Sequence, residues 1–151
     1  MRLARLIAAG LGTGYAPRAP GTVASAAAVL IGAGLLAASP LALALAALAA
    51  TIGGFVAVER AAVTGDPGWV VIDEVAGQWI ALLALARPTP VGLAAAFVLF
   101  RLFDITKPGP VGWADRKHGT FGIMTDDLIA GALAAAILVL VRLLWPGLLL
   151  L

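Results

Sequence analysis

Residues 22–58 read TVASAAAVLIGAGLLAA, then Ser39-Pro40, then LALALAALAATIGGFVAV, with no charged side chain from Thr22 to Val58. Each half, 22–38 and 41–58, has about the length needed to cross a hydrocarbon core of roughly 30 Å at 1.5 Å per residue. Proline is poorly tolerated inside a helix, so Ser39-Pro40 divides the run and the stretch predicts a hairpin of two membrane helices. Their alanine content makes thin helices that pack closely.

The rest of the chain agrees with that solvent. A mean hydropathy of +1.06 with only 12% charged residues places these 151 residues among membrane proteins, as a single domain over 1–151. Absence of Cys excludes disulfides, thiolate metal sites and cysteine nucleophiles. A pI near 9.7 would suggest nucleic acid in a polar protein, but the net charge is +2 and no basic run exists, so anionic phospholipid is the expected partner and nucleic acid is not. Arg2 and Arg5 precede an apolar stretch that Gly10, Gly12 and Gly14 interrupt, too short for a signal-peptide core, so the N-terminus reads as mature protein.

Beyond Val58 the chain turns polar from Glu59 to Asp66, and Gly65-Asp66-Pro67-Gly68 is a turn by residue type. A third apolar segment, 70–86, carries Asp73 and Glu74 at its start and Gln78 a turn later, which predicts a short or partly wet helix. Arg87-Pro88-Thr89-Pro90 ends it, and a fourth segment covers 91–103. The stretch 104–127 holds Lys107, Asp115, Arg116, Lys117 and His118 among Gly and Pro, and reads as a polar loop. A fifth segment, 128–145, ends before Pro146, with Arg142 placed to snorkel. The predicted fold is all-α: an integral membrane helical bundle of about four to five transmembrane or partly embedded helices.

All eight carboxylates lie between Glu59 and Asp127. With Arg2, Arg5 and Arg18 on the cytoplasmic side, alternating crossings return the 59–73 and 104–127 stretches to that face, which gathers every acid into a cytoplasmic-side polar site. A shallow hairpin of segments three and four leaves this parity unchanged. Trp69, Trp79 and Trp113 then fall near the interface, where indoles anchor segments at headgroup depth.

Four stretches carry chemistry. Gly10 to Thr22 is a Gly/Pro-rich loop entering a helix; Thr22 as N-cap with Arg18 nearby suits a phosphate, although a membrane-entry loop has the same composition. Asp73-Glu74 open a helix where the dipole favours acids, yet two together in an apolar chain call for a cation. Arg101, Asp104 and Lys107 share one face if the helix reaches Lys107, as a charge ladder or a phosphate clamp. Asp126-Asp127 sit at a predicted helix start with Thr125 as cap, and Ala130-Gly131 leave that face open for a cation or a neighbouring helix. Hard oxygen donors, no Cys and one His favour Mg²⁺ or Mn²⁺ over zinc. His118 reads first as a polar loop residue, and Glu59, Asp66 and Asp115 receive no role.

Taken in order, Gly12-Thr13-Gly14 with Pro20-Gly21-Thr22, Ile72-Asp73-Glu74 with Gly77 and Trp79, Phe100-Arg101 with Asp104 and Lys107-Pro108, and Gly122-Ile123-Met124 with Asp126-Asp127 and Ala130-Gly131 resemble the phosphatidylglycerophosphatase A family. The resemblance implies a multi-pass enzyme of the bacterial inner membrane that uses Mg²⁺ to hydrolyse phosphatidylglycerophosphate to phosphatidylglycerol and phosphate. On that reading Asp73, Glu74, Asp104, Asp126 and Asp127 hold the metal. Asp104, Asp126, Arg101 and Lys107 act in catalysis, and Arg18, Thr22, Arg101 and Lys107 bind the phosphate, with attack by water or through an aspartyl-phosphate. The rival expectation is a small ion or metabolite transporter that uses the acids as a cation path.

Overall fold

The computed structural model describes residues 2–148 and, among them, contains helices and no strand. A short helix α1 (Arg2–Ala8) and a 3₁₀ turn (Gly10–Tyr15) lead into α2 (Pro20–Ala38) and α3 (Pro40–Arg60). Ser39 makes the hairpin expected of 22–58. Its extended backbone (φ −171°) ends α2, its side chain accepts from the Leu41 amide at 3.1 Å, and Pro40 opens α3. Helix α4 (Ile72–Leu82) is followed by α5 (Pro90–Thr106), which Thr89 caps by accepting from the Gly92 amide at 3.1 Å. A single short helix, α6 (Pro110–Asp115), precedes the 26-residue α7 (Gly119–Leu144).

Three helices, α2, α3 and α7, are long and apolar enough to cross a membrane. The 17 residues of α5 span about 26 Å, whereas the 11 of α4 reach only about 16 Å. The third predicted segment, 70–86, is therefore a half-crossing helix followed by tight turns, with Ala84 and Leu85 bonding back to Ala81 and Leu82. Arg142 does more than snorkel: its Nη1 donates to the Ala84 carbonyl at 2.9 Å and so closes the end of α4.

Small residues line many of the helix contacts, around a few large buried side chains such as Phe100, Leu43, Leu82 and Leu138. Ala28, Gly32, Ala47, Ala76, Ala96, Ala130 and Ala134 are buried, while Leu30, Leu45, Leu48, Ile52, Val98 and Leu143 face outward. This is the pattern of helices in lipid, where close approach of backbones replaces the hydrophobic effect. The tightest crossing joins α4 and α7. A Cβ on Gly131 would collide with the Gly77 carbonyl, and one on Gly77 with the Asp127 carbonyl. Ala130-Gly131 thus serve a helix contact. Trp79, expected at the interface, instead packs over Gly32, and its Nε1 donates to the Ala28 carbonyl of α2 at 2.8 Å.

Candidate active site

The start of α2, the end of α3, the start of α4, the end of α5 and the first turns of α7 meet at one end of the bundle. Contacts between distant residues tie them: Gly21 against Glu74, Arg101 against Glu74, Lys107 against Asp126, and the Thr120 hydroxyl donating to Glu59 at 2.7 Å. Among the described residues, Asp73, Glu74 and Asp127 offer carboxylate oxygens that all lie within 4.8 Å of one another. Asp73, Asp126 and Asp127 are buried, at 6%, 5% and 3% exposure. No lipid-facing position would hold such groups, since ions are costly there unless paired or turned inward.

Two cations serve this cluster. Arg101 on α5 pairs closely with Asp104 and lies 4.0 Å from Glu74. Lys107 pairs with Asp115 at 2.8 Å and, more closely, with Asp126. The predicted ladder of Arg101, Asp104 and Lys107 is therefore split. Helix α5 stops at Thr106, and Lys107 takes a left-handed conformation (φ 49°) that turns its side chain toward α6 and α7. Burial by itself would lower the Lys107 pKa, but the carboxylates of Asp115 and Asp126 on its ammonium raise it above the ordinary lysine value.

The other expected geometry to change is that of Asp126-Asp127. They do not open a helix, and Thr125 does not cap one; α7 begins at Gly119, so the pair lies two turns inside it. The 104–127 stretch is thus mostly helical, comprising the end of α5, α6 and the first turns of α7. Asp126 Oδ1 accepts from the Asp127 amide at 2.9 Å and Oδ2 from Lys107, so both its oxygens are engaged. Thr22 does not cap α2 either. Pro20 occupies the first turn after Ala19 (φ 46°), and Thr22 sits half-buried within the helix, beside Gly21. Arg18 is exposed and has no ion pair among the described residues.

Three features were not assigned from sequence. Gly21 leaves the space that Glu74 occupies, since a Cβ there would strike the Glu74 Oε1. Asp115 shares Lys107 with Asp126. Gln78 is fully buried and, among the described residues, neither of its amide atoms has a hydrogen-bond partner, nor do the buried Glu74 Oε2 and Arg101 Nε. Only Gln78 had a visible signal, a polar residue one turn beyond an acid pair. Asp66, Asp115, Lys117 and His118 also line a polar pocket of about 150 Å³ beside Asp126.

The carboxylates fit a hard divalent cation: three acids converge, all donors are oxygen, and one Glu74 oxygen is buried without a partner. Fold and site together define a helical membrane protein whose reactive groups are carboxylates and two fixed cations at the end of the bundle. Comparison with known proteins supplies the family. The family model described as Phosphatidylglycerophosphatase A matches residues 6–142, and the chain belongs to that family. Phosphatidylglycerophosphatase A of Escherichia coli (strain K12) is 40% identical over 146 residues, covering 93% of this chain and 84% of that protein. The Haemophilus influenzae protein of the same name is 38% identical over 137 residues, 87% of this chain and 84% of its own. A Bacteroides thetaiotaomicron protein provisionally named a phosphatidylinositol-3-phosphatase is 36% identical over 146 residues, 91% of this chain and 92% of its own. No solved structure matches. The chain is a membrane-associated lipid phosphatase, a phosphoric monoester hydrolase.

Proposed function

We propose that this protein hydrolyses phosphatidylglycerophosphate to phosphatidylglycerol and inorganic phosphate in phospholipid synthesis, with Mg²⁺ as cofactor. The observation that carries the reading is the convergence of Asp73, Glu74 and Asp127 beside Arg101 and Lys107. Asp73, Glu74 and Asp127, with Asp104 and Asp126 adjoining, would hold Mg²⁺, which when bound supplies positive charge against the phosphate. Arg101 and Lys107 neutralise the remaining phosphate oxygens, and Asp104 and Asp126 keep those cations oriented. A water deprotonated by a carboxylate attacks phosphorus in line, the bond from phosphorus to the glycerol oxygen breaks, and that oxygen takes a proton. Arg18 and Thr22, at the start of α2 beside Gly21, are proposed as further contacts to the substrate phosphate.

Eight of the ten basic residues lie at the site end of the bundle, Arg87 and Arg142 at the other. This bias supports a cytoplasmic-facing site in a bacterial inner membrane. The acids gather at one end and do not line a path through the bundle, which disfavours the transporter reading.

Purified protein in detergent should release phosphate from phosphatidylglycerophosphate only with Mg²⁺, and faster than from phosphatidylinositol 3-phosphate. Asp73→Asn and Asp126→Asn should abolish release while the circular dichroism spectrum stays helical. Activity retained in both variants would remove the site assignment, and preference for the inositol lipid would replace the substrate. Capture of a phosphorylated carboxylate during turnover, by borohydride reduction of the acyl phosphate to the alcohol, would redirect the mechanism to an aspartyl-phosphate.

A further inference from the structure

A cleft of about 510 Å³ opens between α2, α3 and α4, roofed by the N-terminal segment. Ala24, Ala27 and Ala28 of α2 and Ala46, Ala49 and Ala50 of α3 form its walls. On the same helices Leu30, Leu45 and Leu48 stand outward and exposed, so the cleft exists because alanine occupies positions that leucine would fill.

The lining is almost wholly apolar, and its two polar side chains are both engaged, the Thr13 hydroxyl donating to the Gly10 carbonyl at 2.9 Å and the Trp79 indole to the Ala28 carbonyl at 2.8 Å. A headgroup or an unfolded peptide segment placed there would leave its own polar atoms unpaired in apolar surroundings, which is strongly unfavourable. A hydrocarbon chain has none to leave.

The cleft also adjoins the active site in sequence along two helices. Ala24 lies one turn along α2 from Gly21, which touches Glu74, and Ile72 and Val75 of the cleft flank Asp73-Glu74 on α4. Helix α4 therefore carries Asp73-Glu74 and, through Ile72 and Val75, part of the cleft wall, while α2 meets Glu74 at Gly21 and the cleft at Ala24. From Ala24 to Ile31 the wall runs about 10 Å along α2, away from the charged end.

We propose that this cleft holds one acyl chain of the lipid whose headgroup phosphate enters the acid cluster. The inference rests on the reading of the protein as a phosphatidylglycerophosphate phosphatase. Bilayer and cleft are equally apolar, so transfer of the chain gains little; the benefit is positional. A chain fixed along α2 sets the depth of its headgroup against Arg101 and Lys107 and holds the phosphate in an attack geometry. The occupant follows from this: a phospholipid chain, in place of a second copy of the protein.

The test fills the cleft. Ala27 and Ala49 lie half-buried and exposed on its walls, so Ala27→Leu/Ala49→Leu adds bulk without entering the core. Ala94→Leu, in a separate apolar groove between α2 and α5, is the control. Vesicles containing phosphatidylglycerol with a diazirine on one acyl chain should label cleft residues of the wild type, with labelling at least fivefold lower in the double variant and unchanged in the control. Turnover of long-chain phosphatidylglycerophosphate, as kcat/KM, should fall roughly tenfold, and that of its dihexanoyl analogue less than twofold. Should the double variant not fold, each single substitution gives the same comparison.

Labelling spread evenly over Leu45, Leu48 and Ile52 and indifferent to filling overturns the proposal, as does crosslinking of the cleft to a second copy. Equal losses on both substrates overturn it too. A wild type that releases no phosphate from phosphatidylglycerophosphate refutes the substrate reading instead, and the labelling then decides the cleft by itself.

Discussion

Asp73-Glu74 on α4 and Asp126-Asp127 on α7 are adjacent acid pairs in similar apolar sequence, but the first opens its helix and the second lies two turns inside one. The macrodipole favours the first pair and does little for the second. Both nevertheless divide in the same way. Glu74 faces Arg101 and Asp126 faces Lys107, whereas Asp73 and Asp127 have no cation among the described residues. The two acids left without a cation are drawn together with Glu74 into the cluster. Helix position thus decides little; the counter-charge sets Asp126 apart from the cluster, while Glu74 faces Arg101 and also joins Asp73 and Asp127 in it. Six carboxylates, Asp73, Glu74, Asp104, Asp115, Asp126 and Asp127, stand around Arg101 and Lys107, an excess of four that a divalent cation would reduce.

Neutralising one acid of each kind should have the largest effect. Asp127→Asn should lower activity by roughly 10²–10³-fold, the scale on which removing one preorganised electrostatic group acts. The same change removes a buried charge without a partner, so the thermal midpoint measured in chelator should rise while the stabilisation by added Mg²⁺ is lost. Glu74→Gln should also reduce activity but lower the midpoint, because it takes a carboxylate from the partly buried Arg101. If both variants shift stability in the same direction, the division into provided and unprovided acids is wrong.

Arg101→Lys sharpens the cation side. It keeps the charge but replaces a planar fork with a point ammonium, and Arg101 spans Asp104 and Glu74. Activity should fall about 10- to 100-fold, through kcat more than KM, while the fold persists. Equal activity would mean that only net charge matters here.

Much of this was legible in the chain. The 22–58 hairpin matches within two residues at every boundary because Ser39-Pro40 and Pro20 act locally, as cap and first-turn residues. Convergence of the acids was legible through topology, since parity needs only the number of turns. The start of α7 was not. Gly119, Gly122 and Thr125-Asp126-Asp127 look like loop and cap residues, yet Gly122 lets the chain turn tightly over the Lys117 carbonyl and Met124 fills the notch at Gly54 on α3, so one local and one tertiary contact override residue preference. The split of Arg101, Asp104 and Lys107 was hidden for a related reason, because it depends on a left-handed turn at one non-glycine residue. Nothing within α2 announces that Gly21 makes room for an acid on α4.

Gln78→Leu tests a smaller effect at the base of the site. With both amide atoms buried and unpaired, the carboxamide is a liability of about 1–3 kcal/mol to the fold by itself. Replacement should therefore stabilise the protein in chelator. Activity should drop by about tenfold if the amide serves the occupied site beside Glu74 and stay level if it does not. Loss of stability would show that Gln78 has a partner in the folded protein, most simply a buried water.

Asp115→Asn should have the smallest effect, and it isolates what Lys107 needs. The Lys107–Asp115 pair is 2.8 Å long but its side chains are 29% and 42% exposed, so solvent screens it and its removal is worth no more than about 1 kcal/mol. Asp126, at 7% exposure, still holds the ammonium. Activity should therefore fall less than about fivefold, and the difference from wild type should shrink as salt is raised. Asp115 is one of the two carboxylates that raise the Lys107 pKa, and Asp126 remains after its removal, so Lys107 stays protonated and neither limb of the pH–rate profile should move. A shift of the acidic limb instead would assign the loss to the carboxylates, and would place Asp115 with Asp73 and Asp127 as an available acid in place of a counter-charge.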